Sequence, residues 1–506
     1  MIEIALLDRF VTFCGEHEWI GSRSLVFLTP AFNNAFDDLS LQYLVLLLAG
    51  YPLAVIFAKL PSPTLKHAYS CLVGLWMMQN IFLSQWIHSF ISAMVTYILV
   101  LALPNKIMPK VVFAFLLSYI CGSHIYRMYV DYMGWSLDFT GPQMLLTIKL
   151  SAFAYNVADG RIYEKLTAST GNERKDKVNK QRAKVALREV PGPLEYMGYT
   201  YCFATILAGP AFEYKEYIAT ITGERFRSVS TSNGNGGDAN SSTASYTIPP
   251  RALPVLSKLA TGLLCVVVHQ VGGATYPIDR MVAPETLAMP PLQRYGLMWI
   301  CLLCCRMKYY FAWKVADGAA VLCGFGYEGT DDNGKPKWNG VNNMDIIDFE
   351  TAENMTGNSR AWNKMTQSWL EKYVYTRTNN SLMATYFVSA FWHGFYPGYY
   401  LFFMSLPLAQ QTLRVARKSI SPHFYKNKTV EQVYHYTCII INSMFINYLV
   451  IPFQMLSWER STAVWGSFHY FPHIAIAVLY ILGRFVLKPP MPAKGENGAA
   501  TMKKEL

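Results

Sequence analysis

The sequence predicts an all-α integral membrane protein of about eleven transmembrane helices with short interfacial helices, and three observations carry that prediction. Only 15% of the 506 residues are charged while 52% are apolar and 15% aromatic, against about a quarter charged in soluble domains. Apolar runs approaching the ~20 residues needed to cross ~30 Å of hydrocarbon recur along the whole chain. The net charge is +11, and Arg174, Lys175, Lys177, Lys180, Arg182, Lys184 and Arg188 gather between two such runs, as expected where positive segments stay on the cytoplasmic side of a membrane.

In chain order, residues 1–40 read as an N-terminal interfacial segment or a short first span, with an amphipathic helix over 3–14. Glu3, Asp8 and Arg9 stand where a secretory signal would carry a basic segment and an apolar run. The bundle extends over 41–488. Candidate spans fall near 41–59, 68–84, 87–104, 111–128, 143–157, 197–209, 254–273, 294–312, 313–325, 382–404, 435–456 and 470–488. Several are short for a full crossing, so tilted, re-entrant or neighbour-buried segments are expected among them. No internal repeat is visible, which counts against an inverted-repeat transporter.

The basic segment 174–188 reads as a loop that sets topology, with contact to anionic headgroups or a polyanionic cosubstrate as its other role. Residues 228–247 are a Ser/Gly/Asn-rich insertion, too poor in apolar surface to order itself. Residues 326–381 are polar yet dense in Trp, Asn and Tyr, and too long for an idle connection. Within them Trp362, Met365, Trp369 and Tyr373 recur at helical spacing and predict one amphipathic helix over 359–374. Residues 489–506 form a cytosolic tail in which Lys503 and Lys504 resemble a dilysine retrieval signal of the endoplasmic reticulum. An ordinary charged tail is the alternative, and Lys488 and Lys494 favour the cytosolic side in either case.

Ten cysteines lie mostly within apolar runs and read as small core residues, not disulfides. The CLLCC run at 301–305 has no second ligand pair beside it, so no metal site is expected. The basic residues come with no nucleic-acid motif.

Chemistry concentrates in LMATYFVSAFWHGFYPGYYLFFM, 382–404, with His393 at its midpoint. An ionisable group halfway along a span needs a polar cavity or a partner. Pro397, with no N–H, deprives the carbonyl of His393 of its helical partner and predicts a kink. Gly394 and Gly398 let the backbone bend and a ligand approach. A neutral histidine bonded to a neighbouring helix is the alternative, and it is the reading preferred for His124, His269, His435 and His469. Asn363, in AWNK at 361–364, is the second candidate: its amide could orient an imidazole or donate to an oxyanion. It could equally be an asparagine on a helix surface, and nothing in the spacing joins it to His393.

The string WNKMTQSWLEKYVY (362–375) followed by FWHGFYPGYY (391–400) resembles the membrane-bound O-acyltransferase family, most closely its fungal lysophospholipid acyltransferase branch. DFTGPQM (138–144), NVADGR (156–161), LAGPAFEYKEY (207–217), KYYFAWKVADGA (308–319) and WNGVNN (338–343) fit the same pattern in the same order. The resemblance implies a bundle around a catalytic cavity, with His393 and Asn363 as the catalytic pair. It implies acyl-CoA as cosubstrate, a lysophospholipid arriving from the bilayer, and no further cofactor. Lys308, Lys314 and the basic segment are candidates for docking the CoA phosphates, though each also reads as a topology or interface charge. A sterol or diacylglycerol acceptor, or a transporter, are the rival functions; headgroup, acyl chain and oligomeric state are not legible.

Overall fold

The computed structural model describes residues 39–134, 137–230, 246–424, 427–482 and 485. Residues 1–38 of the N-terminal segment, the tail with Lys503 and Lys504, and residues 231–245 of the 228–247 insertion lie outside those residues. Among the described residues the architecture is helical, with a single isolated bridge between Thr330 and Pro336.

The helices that matter here are α1 (Leu39–Lys59), α2 (Pro63–Phe82), α3 (Trp86–Ala102), α4 (Met108–Val130), α5 (Thr140–Gly160) and α6 (Glu173–Val185). They continue with α7 (Pro193–Thr200), α8 (Ala252–Thr275), α9 (Pro291–Cys323), α10 (Met355–Ala361) and α11 (Lys364–Trp369). The last five are α12 (Leu382–His393), α13 (Pro397–Ile420), α14 (Lys428–Met455), α15 (Trp458–Ser467) and α16 (Phe471–Ile481). Their starts follow local chemistry. The Ser62, Ser381 and Ser457 hydroxyls accept the backbone N–H groups of Leu65, Ala384 and Arg460, and Pro63, Pro291 and Pro397 open helices where no N–H is needed.

Among the described residues five helical stretches are long and apolar enough to cross a membrane: α1, α2 and α3 taken together over Pro63–Ala102, α4, Ala252–Val282 and α14. A sixth is α15 with α16, if that pair, bent by 73°, is one span. The count of about eleven is not reached on these criteria, because the long helices α5, α9 and α13 are too polar. The reason is burial against protein: α5 hides Gln143, Lys149, Asn156 and Asp159, and a helix surrounded by helices need not match lipid.

Five segments differ from the sequence expectation. The runs 294–312 and 313–325 are one 33-residue helix, α9, since nothing near 312 breaks it and buried Arg306 pairs with Glu350. The run at 197–209 holds only the end of α7, followed by turns. The basic segment is not a loop but α6, whose Asn172 side chain accepts the Lys175 N–H, with Glu173 and Asp176 in its first turn and Arg182 and Lys184 in its last. Charges so placed complement the helix dipole. The helix over 359–374 and the single span over 382–404 are both broken, at the residues that carry the chemistry.

The largest apolar core joins α1 to α5, α7 and α9 with residues 201–217. A second lies between α9, α13, α14 and α15. A small third cluster, with Ile148, Tyr155, Trp369, Tyr373 and Trp392, binds α5 to the two broken segments.

Candidate active site

His393 is the last residue of α12, a 12-residue helix of about 18 Å, too short to cross alone. The expected kink is a complete break. Gly394 takes φ 123° and ψ −160°, a region that is essentially glycine's alone, and Pro397 opens the next helix. Half-helices that meet in this way are tolerated at membrane depth where they line a cavity or are covered by protein.

The break is clamped from outside. The Gly394 N–H closes the last helical bond, to Ala390 O. The Met133 N–H donates to the Tyr396 hydroxyl at 2.7 Å. The Gly398 N–H donates to Leu456 O at 2.7 Å, and a Cβ on Gly398 would stand 2.0 Å from Pro452 O, so α13 and the end of α14 meet backbone to backbone.

Aromatic rings surround the His393 imidazole. Phe403 stacks on it at 5.2 Å, Phe453 meets it edge-on at 5.0 Å, Trp392 lies at 4.7 Å and Tyr399 at 5.6 Å. The imidazole nitrogens of His393 have no hydrogen-bond partner among the described residues, yet the residue is only half-buried. Of the rings around it Trp392 and Phe403 are buried, while Tyr399 and Phe453 share its partial exposure. The alternative raised from sequence, a histidine bonded to a neighbouring helix, does not describe it.

Asn363 sits at the second break. α10 ends at Ala361, Trp362 is extended, and Asn363 is left-handed with φ 44° and ψ 55°, before α11 begins. Asparagine is among the few residues that enter that region readily. Its side chain does not cap α11 and is half-buried. The next two residues are pinned by Asn343, whose backbone O accepts the Lys364 N–H at 2.8 Å and whose Oδ1 accepts that of Met365 at 3.2 Å. The Asn343 N–H in turn donates to buried Asp317 on α9 at 3.1 Å. Trp362 turns away to pack against Trp313 at 5.2 Å and Phe349 at 5.0 Å. The helical stripe is therefore split, with Trp362 on one side of the break and Trp369 and Tyr373 on the other.

No hydrogen bond or ring contact joins Asn363 to His393 among the described residues. Their segments meet at a wall of tryptophans: at the far end of α11 from Asn363, the Trp369 ring lies 6.1 Å from that of Trp392. α5 holds this wall. The Trp392 Nε1–H donates to Met144 O at 3.1 Å, the Trp369 Nε1–H to the Ser151 hydroxyl at 2.9 Å, and the Tyr373 hydroxyl to Asn156 Oδ1 at 2.7 Å. Glu213 accepts from Asn156, Tyr373 and Lys372, and Asp159 pairs with both Arg182 and Arg377. The motifs noticed as strings in the sequence are thus the two ends of one polar framework.

The cations proposed for CoA phosphates are partly committed. Lys314 donates to Asn342 Oδ1 at 2.8 Å and Met344 O at 2.5 Å, and Arg182 is held by Asp159. Arg174, Lys175, Lys177, Lys180 and Lys184 remain exposed on α6. His269 bonds to Cys304 O and His435 to Glu353, structural roles as expected. His469 lies in the turn between α15 and α16, its N–H bonded to Gly466 O. His124 also bonds to a neighbouring helix as expected, through Trp392 O; that its partner lies at the α12 break left no sign in the sequence. A small cavity of about 10 Å³, lined by Leu46, Met77, Phe203 and Ala316 among others, shares no lining residue with the His393 surroundings.

Residues 124–456 match the family model of MBOAT, the membrane-bound O-acyltransferase family. The chain is 31% identical to a lysophospholipid acyltransferase of Schizosaccharomyces pombe over 90% of its own length and 88% of that protein. It is 28% identical to a lysophospholipid acyltransferase of Saccharomyces cerevisiae, covering 89% and 75%. Against the membrane-bound glycerophospholipid O-acyltransferase 2 of Homo sapiens it is 30% identical, covering 91% and 88%. With the two broken helices, the aromatic-walled histidine and these relatives spanning nearly its whole length, the chain belongs to the membrane-bound O-acyltransferase family.

Proposed function

We propose that this protein transfers a fatty acyl group from acyl-CoA to the free hydroxyl of a lysophospholipid, with His393 as general base and Asn363 as its partner. The relatives named above, aligned over about nine tenths of the chain, support the acceptor. The observation that carries the chemistry is a half-buried histidine, set among aromatic rings, whose imidazole nitrogens are unengaged among the described residues.

In this reading His393 takes the hydroxyl proton as the acceptor oxygen bonds to the thioester carbonyl carbon. The carbon–sulfur bond then breaks, and the imidazolium returns the proton to the departing thiolate, giving the ester and free CoA. The thioester is already activated, so no acyl-enzyme is required. The Asn363 amide, half-buried at the second break, would orient the imidazole or donate to the carbonyl oxygen as charge develops on it. The polar helices α5, α9 and α13, added to the apolar spans, bring the bundle toward the eleven expected. Residence in the endoplasmic reticulum with a cytosolic C-terminus belongs to the same proposal, supported by the resemblance of Lys503 and Lys504 to a dilysine signal.

The test is an acceptor panel of lysophospholipids, sterol and diacylglycerol with oleoyl-CoA, run on purified wild type and His393→Ala. Wild type should acylate lysophospholipid alone, and His393→Ala, eluting as wild type from size exclusion, should lose at least about 100-fold in kcat. Esterified sterol or diacylglycerol would overturn the acceptor; near-normal turnover by His393→Ala would overturn the histidine.

A further inference from the structure

A helix that stops leaves its last carbonyls without partners. At the end of α12 they are satisfied from α4. The Cys121 thiol lies 3.8 Å from Phe391 O, and His124 Nε2 lies 3.1 Å from Trp392 O. Cys121 and His124 are three residues apart, so they share one face of α4, and that face receives the broken end of α12. A carbonyl oxygen only accepts, which puts the His124 proton on Nε2. The same ring backs onto the residue after His393: a Cβ on Gly394 would stand 3.3 Å from His124 Cγ. One turn further along α4, Arg127 pairs with Asp138 at 2.8 Å, and this anchors α4 to the start of α5.

His124 therefore touches both neighbours of His393, one through a hydrogen bond and one through ring packing. The rings around His393 limit where its imidazole can lie, but they are apolar faces that set no direction along the backbone. Beside the Gly394 N–H bond to Ala390 O within the helix and the Trp392 ring bond to Met144 O, the bond from another helix to the backbone next to His393 is the one from His124. We infer that His124 is a positioning residue for this site: it holds the Trp392–Gly394 backbone so that the His393 imidazole faces the open space where substrates meet. The inference rests on the proposed role of His393.

Misplacement of a reacting group by about 1 Å can cost on the order of 100-fold in rate, and loss of the Trp392 anchor should fall in that range. Three variants separate the contributions. His124→Gln keeps an N–H at similar reach, His124→Phe keeps a ring against Gly394 but has no donor, and His124→Ala removes both. Each is purified in detergent, and kcat and KM for a lysophospholipid are measured alongside His393→Ala.

His124→Phe and His124→Ala should lose about 10- to 100-fold in kcat with KM within about two-fold, and His124→Gln should recover most of it. Wild-type kcat in His124→Phe, or a loss confined to KM, would overturn the inference. So would a His124→Gln no better than His124→Phe. Should His124→Ala fail to insert, the comparison of Phe with Gln still decides. An active His393→Ala would instead strike at the proposed mechanism, so the two failures are told apart by which variant keeps its turnover.

Discussion

Asn363 and His393 present the same design: each residue is half-buried, its side chain without a hydrogen-bond partner among the described residues, and set where a helix is interrupted. For Asn363 the interruption constrains which residues can replace it. Alanine in the left-handed region costs about 1–2 kcal/mol, so a defect in Asn363→Ala mixes backbone strain with loss of the amide. Asn363→Gly removes the amide and relieves the strain. It should melt within a few degrees of wild type while losing at least about 10-fold in kcat with KM for acyl-CoA little changed. Wild-type turnover by Asn363→Gly would assign the position a purely conformational role. The two residues were legible in the sequence for different reasons. His393 stood out through its Pro and Gly neighbours, whereas Asn363 was joined to it only through resemblance, because backbone conformation at a single asparagine leaves no periodic trace. His124 was read as structural, since what faces a histidine across a helix interface is invisible along the chain.

At the scale of the element, both broken helices show how sequence periodicity overreaches. Trp362, Met365, Trp369 and Tyr373 keep helical spacing through a break, because each half is helical and the left-handed Asn363 changes direction without adding residues. In the same way 382–404 is apolar from end to end, yet Gly394 and Pro397 divide it into α12 and α13. The break at Gly394 has a cost that can be measured. A Cβ there meets a backbone region worth about 1–3 kcal/mol of strain as well as the His124 ring at 3.3 Å. Gly394→Ala should lower the melting temperature in detergent and reduce turnover together. An alanine variant as stable and active as wild type would show that the break is not held in this conformation.

Across the whole molecule, polar contacts rather than lipid-facing helices set the arrangement of the site. Asp159, 2% exposed, pairs with Arg182 of α6 at 2.6 Å and with Arg377 beyond α11 at 3.0 Å, while Arg377 lies over the Tyr155 ring at 4.2 Å. Three stretches of chain remote in sequence meet on one carboxylate. Asp159→Ala would leave two guanidiniums without their counter-charge, and removal of one partner of a buried pair costs about 3–5 kcal/mol. Both arginines are partly exposed here, so about 3 kcal/mol is the expected loss, read as a lowered melting temperature. Stability equal to wild type would mean that the network is solvated and that α5 is held in place by its apolar contacts.

Composition and recurrent apolar runs were enough to specify a helical membrane protein, because burial in lipid selects residue types directly and leaves its record in the linear order. The clustering of chemistry near His393 was equally local, written in proline, glycine and histidine within six residues. What only the tertiary structure decided was which helices are solvated by other helices and hence free to be polar, where 359–374 and 382–404 break, and that His124 stands behind His393. Those depend on contacts between residues hundreds of positions apart, 268 in the case of His124 and Trp392, and a contact of that kind leaves no pattern in the spacing of a single sequence.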